Sequence, residues 1–140
     1  MVKMSPRVKE FCEKQELMRL AYVDADGSLR VVPLWFVIKD DDYYFGTGTN
    51  SPKAKAIQRN GRVGWVIDGG EDRRYLGLTL TGHAEEVNDA ALRAALYEAL
   101  GVKYFGSPDH EKFVEIYGKV DEPATAYYRL KVEGGRAWEY

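Results

Sequence analysis

Tyr43-Tyr-Phe-Gly-Thr-Gly-Thr-Asn-Ser-Pro-Lys-Ala-Lys-Ala-Ile-Gln-Arg59 is the stretch around which the chain is organised. Tyr43 to Phe45 are aromatic and β-prone and predict the end of a strand. Gly46 and Gly48 predict a sharp turn or a close approach of the backbone to something bulky. Ser51 is a good helix N-cap, and Pro52 suits the first helical position, where a missing N–H costs nothing. Ala54, Ala56 and Ile57 give the short helix a packing face. Its start offers unpaired N–H groups and a partial positive charge. Thr47, Thr49, Ser51 and the ammonium of Lys53 gather at the same place, and donors with positive potential and close backbone approach are what a phosphate needs. Ser-Pro is also how many helices simply begin, so the rest of the chain has to decide between a cap and a site.

Outward from that stretch, the chain reads as antiparallel hairpins with helices at the margins. Ser5 and Pro6 open a first helix whose apolar stripe is Val8, Phe11 and Cys12; Cys12 is read as a packing residue. Residues 17–23 predict a strand, Asp24-Ala-Asp-Gly27 a tight turn, and residues 28–38 a second strand. Both faces of that second strand are apolar: Leu29, Val31, Pro33, Trp35 and Val37 on one, Val32, Leu34, Phe36 and Ile38 on the other, with Arg30. One face can line a core and the other also needs cover, for which a second subunit is the expected source. Pro33 marks an edge or a bulge. After the short helix, residues 62–68 form a fourth strand, 69–72 a flexible loop, and 74–87 a long fifth strand. In the fifth, Leu76, Leu78 and Leu80 alternate with Gly77, Thr79 and Thr81, apolar inside and hydroxyl outside. A helix over 90–100 closed by Gly101, a second over 108–117, a sixth strand over 125–133 and a short end piece with Trp138 follow. The expected fold is mainly β (α+β), a six-stranded antiparallel Greek-key split β-barrel with short flanking helices, in a single domain over 1–140.

Composition narrows the function classes. The chain has 140 residues, 20 basic and 22 acidic, and a net charge of -2. That balance argues against a nucleic-acid binder, whose affinity comes from neutralising phosphates. A single cysteine excludes an internal disulfide framework, no apolar run is long enough to span a bilayer, and the N-terminus lacks a signal peptide's apolar core, so a cytoplasmic location with no membrane partner is expected. There is no G-x-S-x-G elbow, and His83 and His110 lack metal-ligand spacing. No side chain is assigned as catalytic and no metal is expected. Gly46-Thr-Gly48-Thr-Asn-Ser51 imitates a dinucleotide fingerprint, but Ser51 stands at the third glycine and no βα alternation follows.

Taken together, Ser28-Leu-Arg30-Val-Val-Pro-Leu-Trp35, Tyr-Phe-Gly-Thr47-x-x-x-Ser51-x-Lys53 and Asn-Gly-Arg-Val-Gly-Trp-Val-Ile resemble the pyridoxamine-phosphate-oxidase-like family of FMN-binding split barrels, most closely its small general-stress-protein type. The resemblance implies a flavin-dependent oxidoreductase, a homodimer with FMN at its interface and a small-molecule electron donor or acceptor. It implies that Arg30 and Lys53 hold the FMN phosphate, with Thr47 and Ser51 donating to it beside Gly46. The backbone of Val31, Val32, Pro33, Leu34 and Trp35 would follow the ribityl chain and ring. Gly77 or Thr79 would meet the ring edge, Trp138 would approach from the partner, and substrate would lie near Tyr104 or Trp138. Ser51-Pro52-Lys53 lacks one charge of the oxidase pattern and Trp35 replaces a lysine. The arginine and histidine for the vitamin's phosphate find no match in Arg136-Ala-Trp-Glu-Tyr140, which speaks against vitamin B6 oxidation. Relatives on a similar barrel bind a deazaflavin coenzyme or haem, so a non-catalytic carrier or redox sensor is the alternative.

Overall fold

The computed structural model describes residues 2–120 and 124–140. The chain runs α1 (Pro6–Glu13), β1 (Met18–Val23), β2 (Leu29–Leu34), β3 (Val37–Lys39), β4 (Asp42–Gly48), α2 (Pro52–Arg59), β5 (Arg62–Glu71), β6 (Arg74–Glu86), α3 (Ala90–Phe105), α4 (Glu111–Tyr117) and β7 (Thr125–Glu139). All strand pairs are antiparallel, in the order β2-β1-β5-β6-β7-β4-β3. The two edge strands β2 and β3 are consecutive in sequence and are separated only by Trp35 and Phe36. Three Cα steps reach about 11 Å at most. The sheet therefore has to curl until its edges stand side by side, and no ladder joins them among the described residues. That is a split barrel. None of the described helices is long and apolar enough to cross a membrane.

Alternation along each strand divides the apolar residues into two clusters. Inside the barrel lie Met18 and Leu20, Phe45, Trp65 and Ile67, Leu78 and Leu80, and Tyr128 and Leu130. Ala54, Ala56 and Ile57 of α2 join them and close one mouth. Outside, on the β3-β4-β7 side, Val37, Tyr44 and Tyr127 pack under Leu96 and Leu100 of α3 and Phe113 and Tyr117 of α4. The helices thus cover one half of the barrel. The outer face of the other half, β2-β1-β5-β6, leaves Leu29 73% and Val31 68% exposed. Cys12 is fully buried, and burial pushes its thiol up to about 12, consistent with a packing role.

Several expected boundaries move. The predicted strand over 28–38 is two strands, which makes seven where six were expected. Its alternation continues through Trp35 and Phe36, but Phe36 turns inward and its N–H and C=O both meet Tyr104 of α3. The predicted loop over 69–72 is the end of β5 and a two-residue turn, Asp72-Arg73, both with left-handed φ of 49° and 65°. The helix predicted over 90–100 runs on to Phe105, where Gly106 with φ 77° is its cap. The one predicted over 108–117 starts later, at Glu111, with His110 Nδ1 accepting the Lys112 N–H at 3.1 Å. The sixth strand predicted over 125–133 continues to Glu139, because Gly134 and Gly135 stay in register with Thr81 and Leu80. Pro33 does lie on an edge strand, as expected.

Candidate functional site

The end of β4 and the start of α2 bring two of the expected groups into contact. Thr47 Oγ1 and Ser51 Oγ lie 3.0 Å apart. Ser51 also caps α2, its Oγ accepting the Ala54 N–H at 3.1 Å. With one hydroxyl proton shared between the two oxygens, the other is left to donate outward. Pro52 has no N–H, and the Lys53 amide finds no acceptor among the described residues. The Lys53 side chain is half-buried and meets no carboxylate among the described residues. A hydroxyl pair, a free amide and an unpaired ammonium therefore share one helix start, where the backbone dipole also favours an anion.

Gly46 does not face that cluster. Tyr43, Phe45 and Thr47 point into the barrel, whereas Tyr44 and Gly46 point to the helix layer. A Cβ on Gly46 would come within 3.0 Å of the rings of Tyr117 and Tyr127 and 3.2 Å of Thr125. The glycine is a packing requirement of the second cluster.

Arg30 sits on the β1–β2 hairpin opposite Tyr22, its Nε donating to Asp24 Oδ2 at 2.9 Å. The Asp24 carboxyl is held below the usual range first by the Ala25 N–H and then by Arg30. The structure records no contact between Arg30 and Thr47, Ser51 or Lys53. Of residues 31–35, Val31 and Pro33 face outward, while Val32 and Leu34 face the barrel interior. Trp35 lies between two tyrosines, with ring centroids 4.6 Å from Tyr104 and 6.2 Å from Tyr117, both nearly parallel. Any group lying along this segment would meet backbone at Val32, Leu34 and Trp35. β2 has such backbone to offer, since one of its edges is unpaired.

Register carries the outer face across the open half in one row: Pro33, Arg19, Val66, Thr79, Arg136. Gly77 is one step along, paired with Asp68 and Trp138. A Cβ there would lie 2.7 Å from Trp138 Cζ2 and from the Ile67 carbonyl, so the indole rests directly on Gly77 of its own chain. Trp138 Nε1 is buried without an acceptor among the described residues, Tyr75 tilts against its ring, and the Arg136 guanidinium lies 5.9 Å from it. Tyr75 is itself held by Asp68 at 2.8 Å. His83 is exposed and bonds Glu133 at 2.9 Å.

Two residues of α3 take roles that the sequence did not show. The Tyr104 hydroxyl accepts the Phe36 N–H at 3.0 Å and lies 2.9 Å from the Glu16 carbonyl and 3.1 Å from that of Phe36. It is a clasp on the crossover, which is a different role from the expected neighbour of a substrate. Beside it, Lys103 Nζ donates to the Phe36 carbonyl at 3.0 Å and lies 3.6 Å above the Phe36 ring. Burial lowers its pKa to about 8. Only the preceding apolar run, Ala90 to Leu100, marked this helix as one with a buried face.

No curated protein matches the sequence. Among solved structures, conserved hypothetical protein Rv2991 from Mycobacterium tuberculosis is 20% identical with a TM-score of 0.80, covering 98% of this chain and 86% of that one. HutZ, described as the heme storage protein from Vibrio cholerae, is 21% identical with a TM-score of 0.72, covering 99% and 94%. A protein described as an F420 reductase is 20% identical with a TM-score of 0.69, covering 94% and 98%. At these identities the likeness is one of fold. The family model described as pyridoxamine 5'-phosphate oxidase matches residues 4–139, nearly the whole chain, and the chain therefore belongs to that family.

Proposed function

We propose that the protein binds FMN between two copies of the chain and acts as a flavin-dependent oxidoreductase. The observation that carries this is the donor cluster at the start of α2: the Thr47–Ser51 hydroxyl pair, the free Lys53 amide and the unpaired Lys53 ammonium. These groups suit a phosphate monoester dianion in number and charge. The unpaired edge of β2 supplies backbone donors and acceptors for a flat heterocycle, and Val31 and Pro33 beside it supply an apolar wall. The exposed apolar side chains of that face support a second copy as its cover. Arg30, now tied to Asp24, would have to exchange that partner to reach a phosphate.

When bound, a flavin supplies the electron-transfer chemistry, and the chain's residues hold, orient and shield it. Thr47, Ser51 and Lys53 bind the phosphate. Backbone of residues 31–35 fixes the ring plane, and Thr79, on the outer row, presents a hydroxyl to the same face.

The experiment is a spectroscopic titration with FMN and with riboflavin, which lacks the phosphate, alongside sedimentation. FMN should bind at least tenfold more tightly, and Lys53→Met should bring it towards riboflavin. Equal affinities would overturn the assignment. A monomer at saturating FMN would overturn the interface. Reduction by a nicotinamide donor and reoxidation by an acceptor distinguishes a catalyst from a carrier. A deazaflavin coenzyme, suggested by the F420 reductase neighbour, is compared in the same titration.

A further inference from the structure

A cavity of about 590 Å³ opens at the other end of β4 from Thr47 and Ser51. Its size is that of a small-molecule site. Among the described residues its apolar wall is Val2, Met4, Ile38, Tyr43, Leu80 and Val132. Tyr43 and Leu80 are buried barrel residues, so the space reaches the barrel lining. Trp65 stands behind that wall, 5.5 Å from the Tyr43 ring and in register with Leu80. A register shift between Thr81 and Gly82 separates the Leu80–Gly135 pair from the Gly82–Val132 pair and leaves Glu133 without a partner on β6.

Four charged residues line the cavity, and they are not equivalent. Lys9 pairs with Asp41, and Asp42 lies 3.5 Å from Arg129. Lys131 has no carboxylate partner among the described residues. An apolar hollow with one uncompensated ammonium selects a ligand with an apolar body and a single negative charge.

We infer that this cavity is a second binding site, separate from the α2 start, for a compact amphiphilic monoanion such as an aryl-alkanoate, its body against Tyr43 and Leu80 and its carboxylate on Lys131. The site does not depend on the flavin reading. Four to six residues of β4 separate the two ends, roughly 13–20 Å of strand.

The test uses the full chain with 4-phenylbutyrate and its neutral counterpart 4-phenylbutan-1-ol, by calorimetry and by amide shifts in a heteronuclear NMR spectrum. The carboxylate should saturate below about 1 mM, with shifts centred on Tyr43, Leu80 and Val132, and the alcohol should bind about tenfold more weakly. Lys131→Met keeps the aliphatic stem and should remove that tenfold preference while leaving the alcohol unchanged. Val132→Trp, at a half-exposed strand position, should fill the space and abolish both. FMN-saturated protein should bind the probe as well as the flavin-free form. Absence of saturable binding, an unchanged preference in Lys131→Met, shifts centred elsewhere, or displacement of the probe by FMN would each overturn the inference.

Discussion

Tyr104→Phe removes one oxygen atom and isolates the contribution of the crossover clasp. The hydroxyl accepts the Phe36 N–H at 3.0 Å and has one proton to give, towards the Glu16 carbonyl at 2.9 Å or the Phe36 carbonyl at 3.1 Å. Two hydrogen bonds are therefore lost, worth about 1 kcal/mol each. The Phe36 side chain is fully buried, so its N–H is left without protein or ready solvent partner, at an added cost of about 1–3 kcal/mol. The phenyl ring keeps its stack on Trp35, so little packing is lost. The expected destabilisation is about 3–5 kcal/mol, a large fraction of a typical domain's total. Urea unfolding followed by circular dichroism measures it. A Tyr104→Leu companion, which also gives up the stack, should lose more. A loss below about 0.5 kcal/mol in Tyr104→Phe, with unchanged urea dependence, would refute the idea that this hydroxyl holds the barrel's two edges together.

Three further outcomes are expected. FMN affinity should fall about 10- to 150-fold in Lys53→Ala, the loss of one charge-assisted phosphate contact worth about 1.5–3 kcal/mol, and distinctly less in Arg30→Ala, because Asp24 already engages that guanidinium; fluorescence titration of both variants ranks them. Lys103 has a folded pKa lowered to about 8 from 10.5, so between those values the unfolded chain binds more protons and this group makes stability rise with pH. Lys103→Met should therefore gain most on the wild type below pH 8 and lose that advantage as pH climbs towards 10, read from paired urea curves. Arg73→Gly should stabilise the β5–β6 hairpin by about 0.5–1 kcal/mol, since a left-handed non-glycine costs about 1–2 kcal/mol and glycine returns part of the gain as unfolded-state entropy; thermal unfolding checks it.

The sequence made the hairpins, the inward leucines of β6 and the cap of α2 legible because each is a local signal. Ser51 before Pro52 names the helix start whatever surrounds it. Leu76, Leu78 and Leu80 are all buried, as their spacing requires. The break between β2 and β3 was not legible. Period-two alternation reports that residues are buried on two sides, and it runs unchanged through Trp35 and Phe36, although the strand leaves one sheet edge for the other there. What ends β2 is Tyr104, 68 residues further along, whose hydroxyl takes the Phe36 backbone out of any ladder. The same distance hid the burial of Lys103. The capture of Arg30 by Asp24 spans only six positions along the chain, and both residues were in view. What was missing was the choice of that carboxylate as the partner of the guanidinium.

Gly46 and Thr47 show how far alternation alone could have gone. Sequence alone groups both in one phosphate site. In a strand that continues to Gly48, however, neighbouring residues face opposite sides, so side-chain space at Gly46 and a hydroxyl at Thr47 serve different layers. Tyr43 and Phe45 share the face of Thr47 and line the barrel, which puts Thr47 under the start of α2 beside Ser51. Tyr44 shares the face of Gly46 and lies in the helix-covered cluster, which is why Tyr117 and Tyr127 fill the space a side chain at 46 would need. The glycine therefore sets how closely the helix layer approaches β4, and the threonine one residue later lies beside Ser51 at the start of α2.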